Sequence, residues 1–442
     1  MDQKGKRTVV VGLGKSGMAA WELLRKMGAE VCLYDGREDL DTSGFDVPVY
    51  LGTIPEEVLR KLDCAVFSPG VPLTIPVAEA VRKHGIPIIG EIELAYLCER
   101  GRVIGITGTN GKTTTTTLVG EIMSAYNAQT FVVGNIGNPY TKEVCRSSEQ
   151  SVTVAEISSF QLETVDTFRP AVSAILNITP DHLDRHGTME NYRNAKLDIT
   201  KNQTEEDLCV LNYEEETLRR RAEELPCRVE FFSSKRSLDK GLYQDAAGNI
   251  VDGVSGEILM NMSESNIPGD HNCENIMAAI LMTREMGVPL ETILRTVKSF
   301  HAVEHRVEFV QTVKGVDYYN DSKGTNPDAA IKGIQSMSRP TVLIGGGYDK
   351  GGGFEEWIRA FDGMVKKLLL MGQTADKIVE TAERLGFHDY ERVETLEQAV
   401  GRAAELAQSG DAVLLSPACA SWDMFDSYEQ RGSLFKEYVR SL

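Results

Sequence analysis

Twice in this chain an apolar run stops at closely spaced glycines and gives way to a helical stretch. The first is "RTVVVGLGKSGMAAWELLRKMG" from Arg7, and the second is "RVIGITGTNGKTTTT" from Arg102. Runs as apolar as "TVVV" and "VIGI" suit strands buried on both faces. A buried strand joined to a helix by a short glycine turn opens a strand–helix–strand unit, so the chain is expected to be α/β with parallel sheets.

The alternation recurs in three segments. In the first, strands are expected at "RTVVVGLG", "EVCLYDGR", "CAVFSPGV" and "IPIIGEIEL", with helices at "SGMAAWELLRKMG" and "IPVAEAVRKHG"; it ends near residue 93. The second restarts at "RVIGITG" and continues through "SVTVAEISS", "PAVSAILNIT" and "DLCVLNY". Shorter, more polar strand-like pieces fill about 227–268, and the helix "NCENIMAAILMTREMG" leads to a boundary near 299. The third opens at "FHAVEHRVEFV". It has strands at "GVDYYNDS", "RPTVLIGGG", "VKKLLLMG" and "DAVLLSPA", and helices at "TADKIVETAERLG" and "LEQAVGRAAELAQSG". The divisions are therefore 1–93, 94–299 and 300–442, in keeping with ~150 residues per domain.

The net charge of −18 argues against a nucleic-acid surface, which needs a basic patch. It does not argue against small anions, which backbone N–H groups and a few cations hold locally. No apolar run approaches the ~18 residues of a membrane span. The opening "MDQKGKR" lacks a signal-peptide core. Eight scattered cysteines without a Cys-x-x-Cys pair read as reduced thiols, so a cytoplasmic location is expected.

"GITGTNGKTTTT" is a phosphate-loop candidate of unusual spacing. The strict pattern G-x-x-x-x-G-K-[ST] places its first glycine six residues before the lysine, where this chain has Ile106; the glycines are Gly105, Gly108 and Gly111. The strand before and the helix start after still suit a loop whose N–H groups wrap phosphates. Lys112 would reach the terminal phosphates, and the Thr113 hydroxyl a magnesium ion. No Asn-Lys-x-Asp motif of a GTPase is present.

"VVVGLGKSG" provides Gly12, Gly14 and Gly17 after a strand, and Asp35 follows about 20 residues on, a dinucleotide fingerprint. Its physics asks only for a diphosphate at a helix N-terminus and a carboxylate near a ribose or base. NAD, FAD and a UDP-sugar all qualify.

Further stretches matter together: "GNIGNP" (134–139), "EISSFQLE" (156–163), "NITPDHLDRHGTMENYRNAKLD" (177–198), "GDHNCEN" (269–275), "HRVE" (305–308), "NDSKGTNPDA" (320–329) and "SPACASWDMFDSYEQRG" (416–432). With "TGTNGKT", this set resembles the Mur ligase family over nearly the whole chain.

The resemblance implies a Rossmann-like N-terminal domain for a UDP-substrate, a central P-loop ATPase domain with a mainly parallel sheet, and a Rossmann-like C-terminal domain for an amino acid. It implies ATP-dependent amide formation through an acyl phosphate, with UDP-N-acetylmuramoyl-L-alanine and D-glutamate as substrates, in peptidoglycan precursor synthesis by a monomer. ATP would sit on Gly108, Thr109, Asn110, Gly111, Lys112, Thr113 and Thr114, with Asn272 and Asn275 at the adenine. Arg306 would meet the γ-phosphate, and Asp321 the ribose or the metal's water shell. Two Mg²⁺ sites are implied. Thr113 and Glu156 would serve one, and His182 with Lys196 the other, Lys196 having taken up CO₂ as a carbamate. Lys323 would support the reacting carboxylate. Gly14, Lys15, Ser16, Gly17, Asp35 and Arg37 would hold the UDP end. Asn135 and Gln161 would orient the lactyl-alanyl end, and Lys350, Ser421 and Tyr428 would contact D-glutamate. No residue stands out as the general base for the amine; His182 is a candidate.

Other classes stay open at this point. A sister ligase or a folylpolyglutamate synthetase shares the central loop, although the latter lacks the first glycine fingerprint. A nicotinamide-dependent dehydrogenase would need no ATP. A nucleotide-gated scaffold would tolerate loss of Lys196.

Overall fold

The computed structural model describes residues 4–267, 269–301, 304–351 and 353–442; Ala302, Val303 and Gly352, within the "FHAVEHR" and "GGYDKGG" stretches, lie outside them. Three sheets follow one another along the chain. The first has β1 (Arg7–Val11), β2 (Glu30–Asp35), β3 (Val49–Leu51), β4 (Cys64–Phe67) and β5 (Ile88–Gly90), all parallel, in the order β3-β2-β1-β4-β5. Val9, Val10 and Val11 of the central strand are completely buried, as a strand covered on both faces must be.

The second sheet has β6 (Arg102–Thr107), β7 (Thr130–Gly134), β8 (Val152–Glu156), β9 (Val172–Ile175), β10 (Leu208–Asn212), β11 (Arg228–Ser233), β12 (Leu242–Gln244), β13 (Asn249–Asp252) and β14 (Ile258–Asn261). Its order is β14-β13-β12-β11-β10-β9-β6-β8-β7. Every pairing is parallel from β7 through to β12, and only β13 and β14 add antiparallel strands at one edge.

The third sheet has β15 (Glu308–Val313), β16 (Val316–Asn320), β17 (Thr341–Gly345), β18 (Val365–Leu370), β19 (Tyr390–Arg392) and β20 (Ala412–Leu415), in the order β15-β16-β20-β17-β18-β19. Only β15 runs antiparallel. In each sheet the strand order reverses beside a strand that ends in a motif loop: β1, β6 and β16. Ligands of open parallel sheets bind at such reversals, outside the carboxyl ends of the strands.

Three sheets make two compact units. One holds 1–264 and 273–298, the other 265–272 and 299–442. The first two sheets share a core in which Trp21, Leu24, Ile92 and Leu94 join Tyr140, Val144, Phe168 and Ile199.

The α/β expectation holds, with one local correction. "IPIIGEIEL" does not continue as a strand: β5 stops at Gly90, and Glu91–Tyr96 is helical. The helix puts two acidic side chains, Glu91 and Glu93, where donors from other loops meet them. Edge strand β7, short strand β19 and the final helix Tyr428–Arg440 escape a sequence reading. β7, Thr-Phe-Val-Val-Gly, is apolar but only five residues long and partly buried at the sheet edge.

Candidate active site

After β6 the chain turns through Gly108–Gly111 into the helix Lys112–Tyr126. Gly111 is left-handed at φ 83°, and a Cβ there would lie 2.4 Å from Asn275 Oδ1. Both facts require glycine. Asn177 pins the loop. Its carbonyl accepts from the Thr109 N–H at 2.9 Å, and its side chain accepts from the Asn110 N–H at 2.8 Å and donates to the Asn110 carbonyl at 3.0 Å. Thr109 Oγ1 lies 3.0 Å from the Tyr192 hydroxyl and donates to the Thr179 carbonyl at 3.1 Å. Thr113 is half-buried and Thr114 buried in the first helical turn. Asn275 is buried on the helix Asp270–Glu285 and accepts from Thr115 Oγ1 at 3.2 Å; Asn272 precedes it by one turn.

Two amines converge on one carbonyl. Lys112 Nζ donates to the Gly108 and Thr109 carbonyls, both at 2.8 Å, and Lys196 Nζ donates to Gly108 O, also at 2.8 Å. Lys196 is 1% exposed, and its Nζ sits 4.6 Å from the Tyr192 ring centroid. Burial, then the charge of Lys112, push its pKa well below the usual lysine range, with Asp181 opposing. Both effects favour a neutral amine.

Glu156 closes β8, beside β6, and is 1% exposed. Its Oε1 accepts from Asn135 Nδ2 at 2.7 Å, and its backbone carbonyl accepts from the Asn135 N–H at 2.9 Å. Its Oε2 is buried without a hydrogen-bond partner among the described residues. An orphaned carboxylate oxygen in the interior is costly unless a cation meets it, so this oxygen fits a divalent metal. The positive N-terminal end of the helix Lys112–Tyr126 and the Lys112 ammonium likewise fit a polyphosphate.

His182 packs edge-on against Phe160 at 4.8 Å, with Nε2 3.6 Å from Asp181. Gln161 is buried, and its Oε1 closes a capping box with Ser158. Glu163, in the same stretch, pairs with Arg185 at 2.6 Å and faces His186.

In the first sheet, Gly17 is set by close approach: a Cβ would lie 1.9 Å from the Gly12 carbonyl, whereas one at Gly14 would meet nothing within 4 Å. Gly14 and Lys15 are exposed and Ser16 is half-buried, at the start of the helix Lys15–Lys26. Asp35 and Arg37, both expected at the UDP end, form one unit. Arg37 donates through Nε at 2.9 Å and Nη2 at 3.0 Å, and Asp35 also accepts from the Leu13 N–H at 3.0 Å. The hydrogen bond from Arg37 leads in lowering the Asp35 pKa to about 2.

In the second unit, Asp321 follows β16. Ser416 Oγ donates to it at 2.6 Å and the Val307 N–H at 3.3 Å. Burial raises its pKa to about 7 against these hydrogen bonds and the charge of Arg306. Lys323 Nζ stands 3.6 Å from the Tyr428 ring centroid, which brings two expected site residues together. Lys350 Nζ is 5.7 Å from the centroid of the exposed Trp422, beside buried Ser421.

Arg431 was not singled out from the sequence. It is fully buried and donates to Ser322 Oγ at 3.0 Å, the Ser322 carbonyl at 2.8 Å and the Cys419 carbonyl at 3.2 Å. Its spacing from buried Phe435 and Val439 was the available signal: a cation on an apolar helical stripe. Asn177 and Tyr192 belong to the 177–198 stretch, and only the folded loop shows what they hold.

Three family models match in chain order. They are the Mur ligase MurD-like N-terminal domain over residues 6–90, the Mur ligase middle domain over 106–283, and the Mur ligase glutamate ligase domain over 305–419. The chain is 53% identical to the UDP-N-acetylmuramoylalanine–D-glutamate ligase of Lachnospira eligens, covering 100% of both chains. It is 48% identical to the protein of the same name from Clostridioides difficile, again covering 100% of both. Among solved structures, the UDP-N-acetylmuramate-alanine ligase of Thermotoga maritima aligns with a TM-score of 0.62 at 19% identity over 98% of this chain and 99% of that one. The MurF ligase of Thermotoga maritima, solved with ADP, also gives 0.62, at 18% identity over 99% of this chain and 96% of that one. At such identities the structural likeness speaks for the fold.

Proposed function

The chain belongs to the Mur ligase family, and we propose that it joins D-glutamate to UDP-N-acetylmuramoyl-L-alanine in an ATP-dependent, cytoplasmic step of peptidoglycan precursor synthesis. Two supports are distinct. The buried, partnerless Glu156 oxygen at the end of β8, the neighbour of the strand that feeds the phosphate loop, carries the metal-assisted phosphoryl chemistry. End-to-end identity with relatives named as D-glutamate ligases carries the choice of amino acid.

A carboxylate is a poor electrophile and repels a phosphate. ATP supplies the phosphoryl group that turns the substrate carboxylate into an acyl phosphate with a good leaving group, and Mg²⁺ supplies positive charge. The chain's own part is alignment and charge neutralisation. The N-terminus of the helix Lys112–Tyr126 and the Lys112 ammonium would hold phosphates, with Thr113 and Glu156 as ligands of one Mg²⁺. Lys196 and His182 serve a second. Burial, then the charge of Lys112, favours the neutral Lys196 amine, the form that takes up CO₂. The carbamate would replace a repulsion of Lys112 with an attraction.

The first segment, 1–93, takes the UDP end. Gly14, Lys15, Ser16 and Gly17 open a helix N-terminus to the diphosphate, and the Asp35–Arg37 unit faces the nucleoside. Asn135 and Gln161 orient the lactyl-alanyl end in the ATP segment, 94–299. In 300–442, Lys350, Ser421 and Tyr428 hold D-glutamate, and Lys323 offers its ammonium to a reacting carboxylate. The protein acts as a monomer.

The test is phosphate release from ATP with UDP-N-acetylmuramoyl-L-alanine and a panel of D-glutamate, L-glutamate, L-alanine and a diamino acid. Release stimulated by D-glutamate alone, with a new amide product, is expected. Stimulation by another amino acid would change the member of the family. No release with any of them would end the reading.

A further inference from the structure

We propose that Glu91 is a positioning residue for Glu156, linking the end of the first sheet to the carboxylate that holds the metal. The inference rests on the reading of Glu156 as a metal ligand.

At the end of β5 the backbone is pressed onto the second sheet's loops. The Gly90 N–H donates to the Thr164 carbonyl at 3.2 Å, and a Cβ on Gly90 would lie 2.1 Å from Thr164 Oγ1. Two buried carboxylates follow, Glu91 at 2% and Glu93 at 1% exposure. Glu91 Oε1 accepts from the Thr141 N–H at 2.6 Å and Thr141 Oγ1 at 2.7 Å. Glu93 takes the N–H groups of Asp166 at 2.9 Å, Thr167 at 2.8 Å and Phe168 at 3.0 Å. The donors are N–H and O–H groups, and among the described residues no salt bridge joins either carboxylate. Glu91 Oε2, like Glu156 Oε2, is buried without a hydrogen-bond partner among them, but unlike Glu156 it does not stand at the end of a strand beside the phosphate loop. Buried carboxylates are poor stabilisers compared with apolar side chains of similar volume. What these two achieve is placement.

The loops they grip follow β7 and β8, the strands that lead into Asn135 and end in Glu156. From Thr141 the chain runs back to Asn138, whose carbonyl accepts from the Gly134 N–H at 3.1 Å and closes the Gly134–Asn138 loop. Asn135 sits in that loop. Its N–H holds the Glu156 carbonyl, and its Nδ2 holds Glu156 Oε1 at 2.7 Å. Glu91 therefore fixes the exit of the loop whose asparagine sets the orientation of the Glu156 carboxylate. Partners that orient a metal ligand commonly change metal affinity 10–100-fold when lost.

The experiment measures binding of Mn²⁺–ADP to the full chain by the paramagnetic resonance of the bound ion. Glu91→Ala is expected to weaken binding about tenfold. Glu91→Gln keeps an acceptor for Thr141 and should stay within about twofold. Asn135→Ala should weaken binding as well, and the double variant should lose little more than the worse single one, because both act through one path. Leu218→Ala, a core change far along the chain, should lower stability and leave Mn²⁺–ADP binding alone. Should Glu91→Ala not fold, Thr141→Val removes only the hydroxyl bond and should cost about threefold. Wild-type binding by Glu91→Ala or Thr141→Val, or full additivity with Asn135→Ala, would overturn the inference. Glu156→Gln separates the two readings. If it binds Mn²⁺–ADP like wild type, the metal reading itself falls. If it loses binding while the Glu91 and Thr141 variants keep it, only the positioning role falls.

Discussion

Replacing Gly111 by alanine tests the phosphate loop at its tightest point. Two costs are visible. Alanine at φ 83° is strained by about 1–2 kcal/mol. Its Cβ, 2.4 Å from Asn275 Oδ1, must also drive the buried amide aside. That breaks the bond from Thr115 Oγ1 at 3.2 Å, worth about 1 kcal/mol. The sum is about 2–3 kcal/mol, a fall in melting temperature of roughly 3–5 °C for a unit as large as the one that holds Gly111. Calorimetric unfolding without nucleotide reads it. Gly36→Ala is the reference, since a Cβ there meets nothing within 4 Å and the backbone is not left-handed; it should shift stability by less than about 0.5 kcal/mol. In an Asn275→Ala background the clash disappears and the strain remains, so Gly111→Ala should cost only about 1–2 kcal/mol there. An undiminished cost without the Asn275 amide would refute the clash. A cost no larger than that of Gly36→Ala would refute the left-handed requirement as well.

Asp321 should make the second unit pH-sensitive. Its folded pKa is raised from 3.8 to about 7 by burial, so its contribution to stability is whole below the unfolded value and is lost as pH rises through about 7. The span is at most ~4 kcal/mol. Asp321→Asn should therefore gain on wild type steadily from pH 4 to 7 in denaturant unfolding, and a flat difference would contradict this. Lys196→Arg cannot become neutral or take up CO₂, so activity should fall more than about 100-fold. With ¹³C-bicarbonate, wild type should show a carbamate carbon signal that the variant lacks; a wild type without that signal would refute the carbamate. Tyr428→Phe preserves the ring beneath Lys323, 3.6 Å away, and should leave the KM for D-glutamate within about twofold. Tyr428→Ala should raise it about fivefold, for an interaction of ~1 kcal/mol. Equal effects of the two would remove the ring from the account.

How much of this was legible follows from the range of each interaction. β1 and β6, and the glycine turns after them, are set by neighbours in the chain: apolar residues on both faces, then a backbone that must bend sharply before a helix. Such features survive in any window of about ten residues, so the sequence by itself determined the α/β class, the two glycine turns between strand and helix and the residue types that line them. The "GEIEL" stretch shows the limit. Its pattern allows a strand, and the outcome is a helix whose Glu91 and Glu93 meet donors at Thr141 and at Asp166–Phe168. Nothing local announces those donors. The same holds within the site. Lys112 is marked by its glycine motif, but nothing in the sequence brings Lys196, 84 positions on, to the same Gly108 carbonyl. Asp35 and Arg37 look like independent contacts until the turn closes them into one pair. Only the tertiary structure decided which polar groups are shut away from water and which partner each finds. In a low-dielectric interior those two facts, more than residue identity, set charge state, pKa and the capacity to hold a metal.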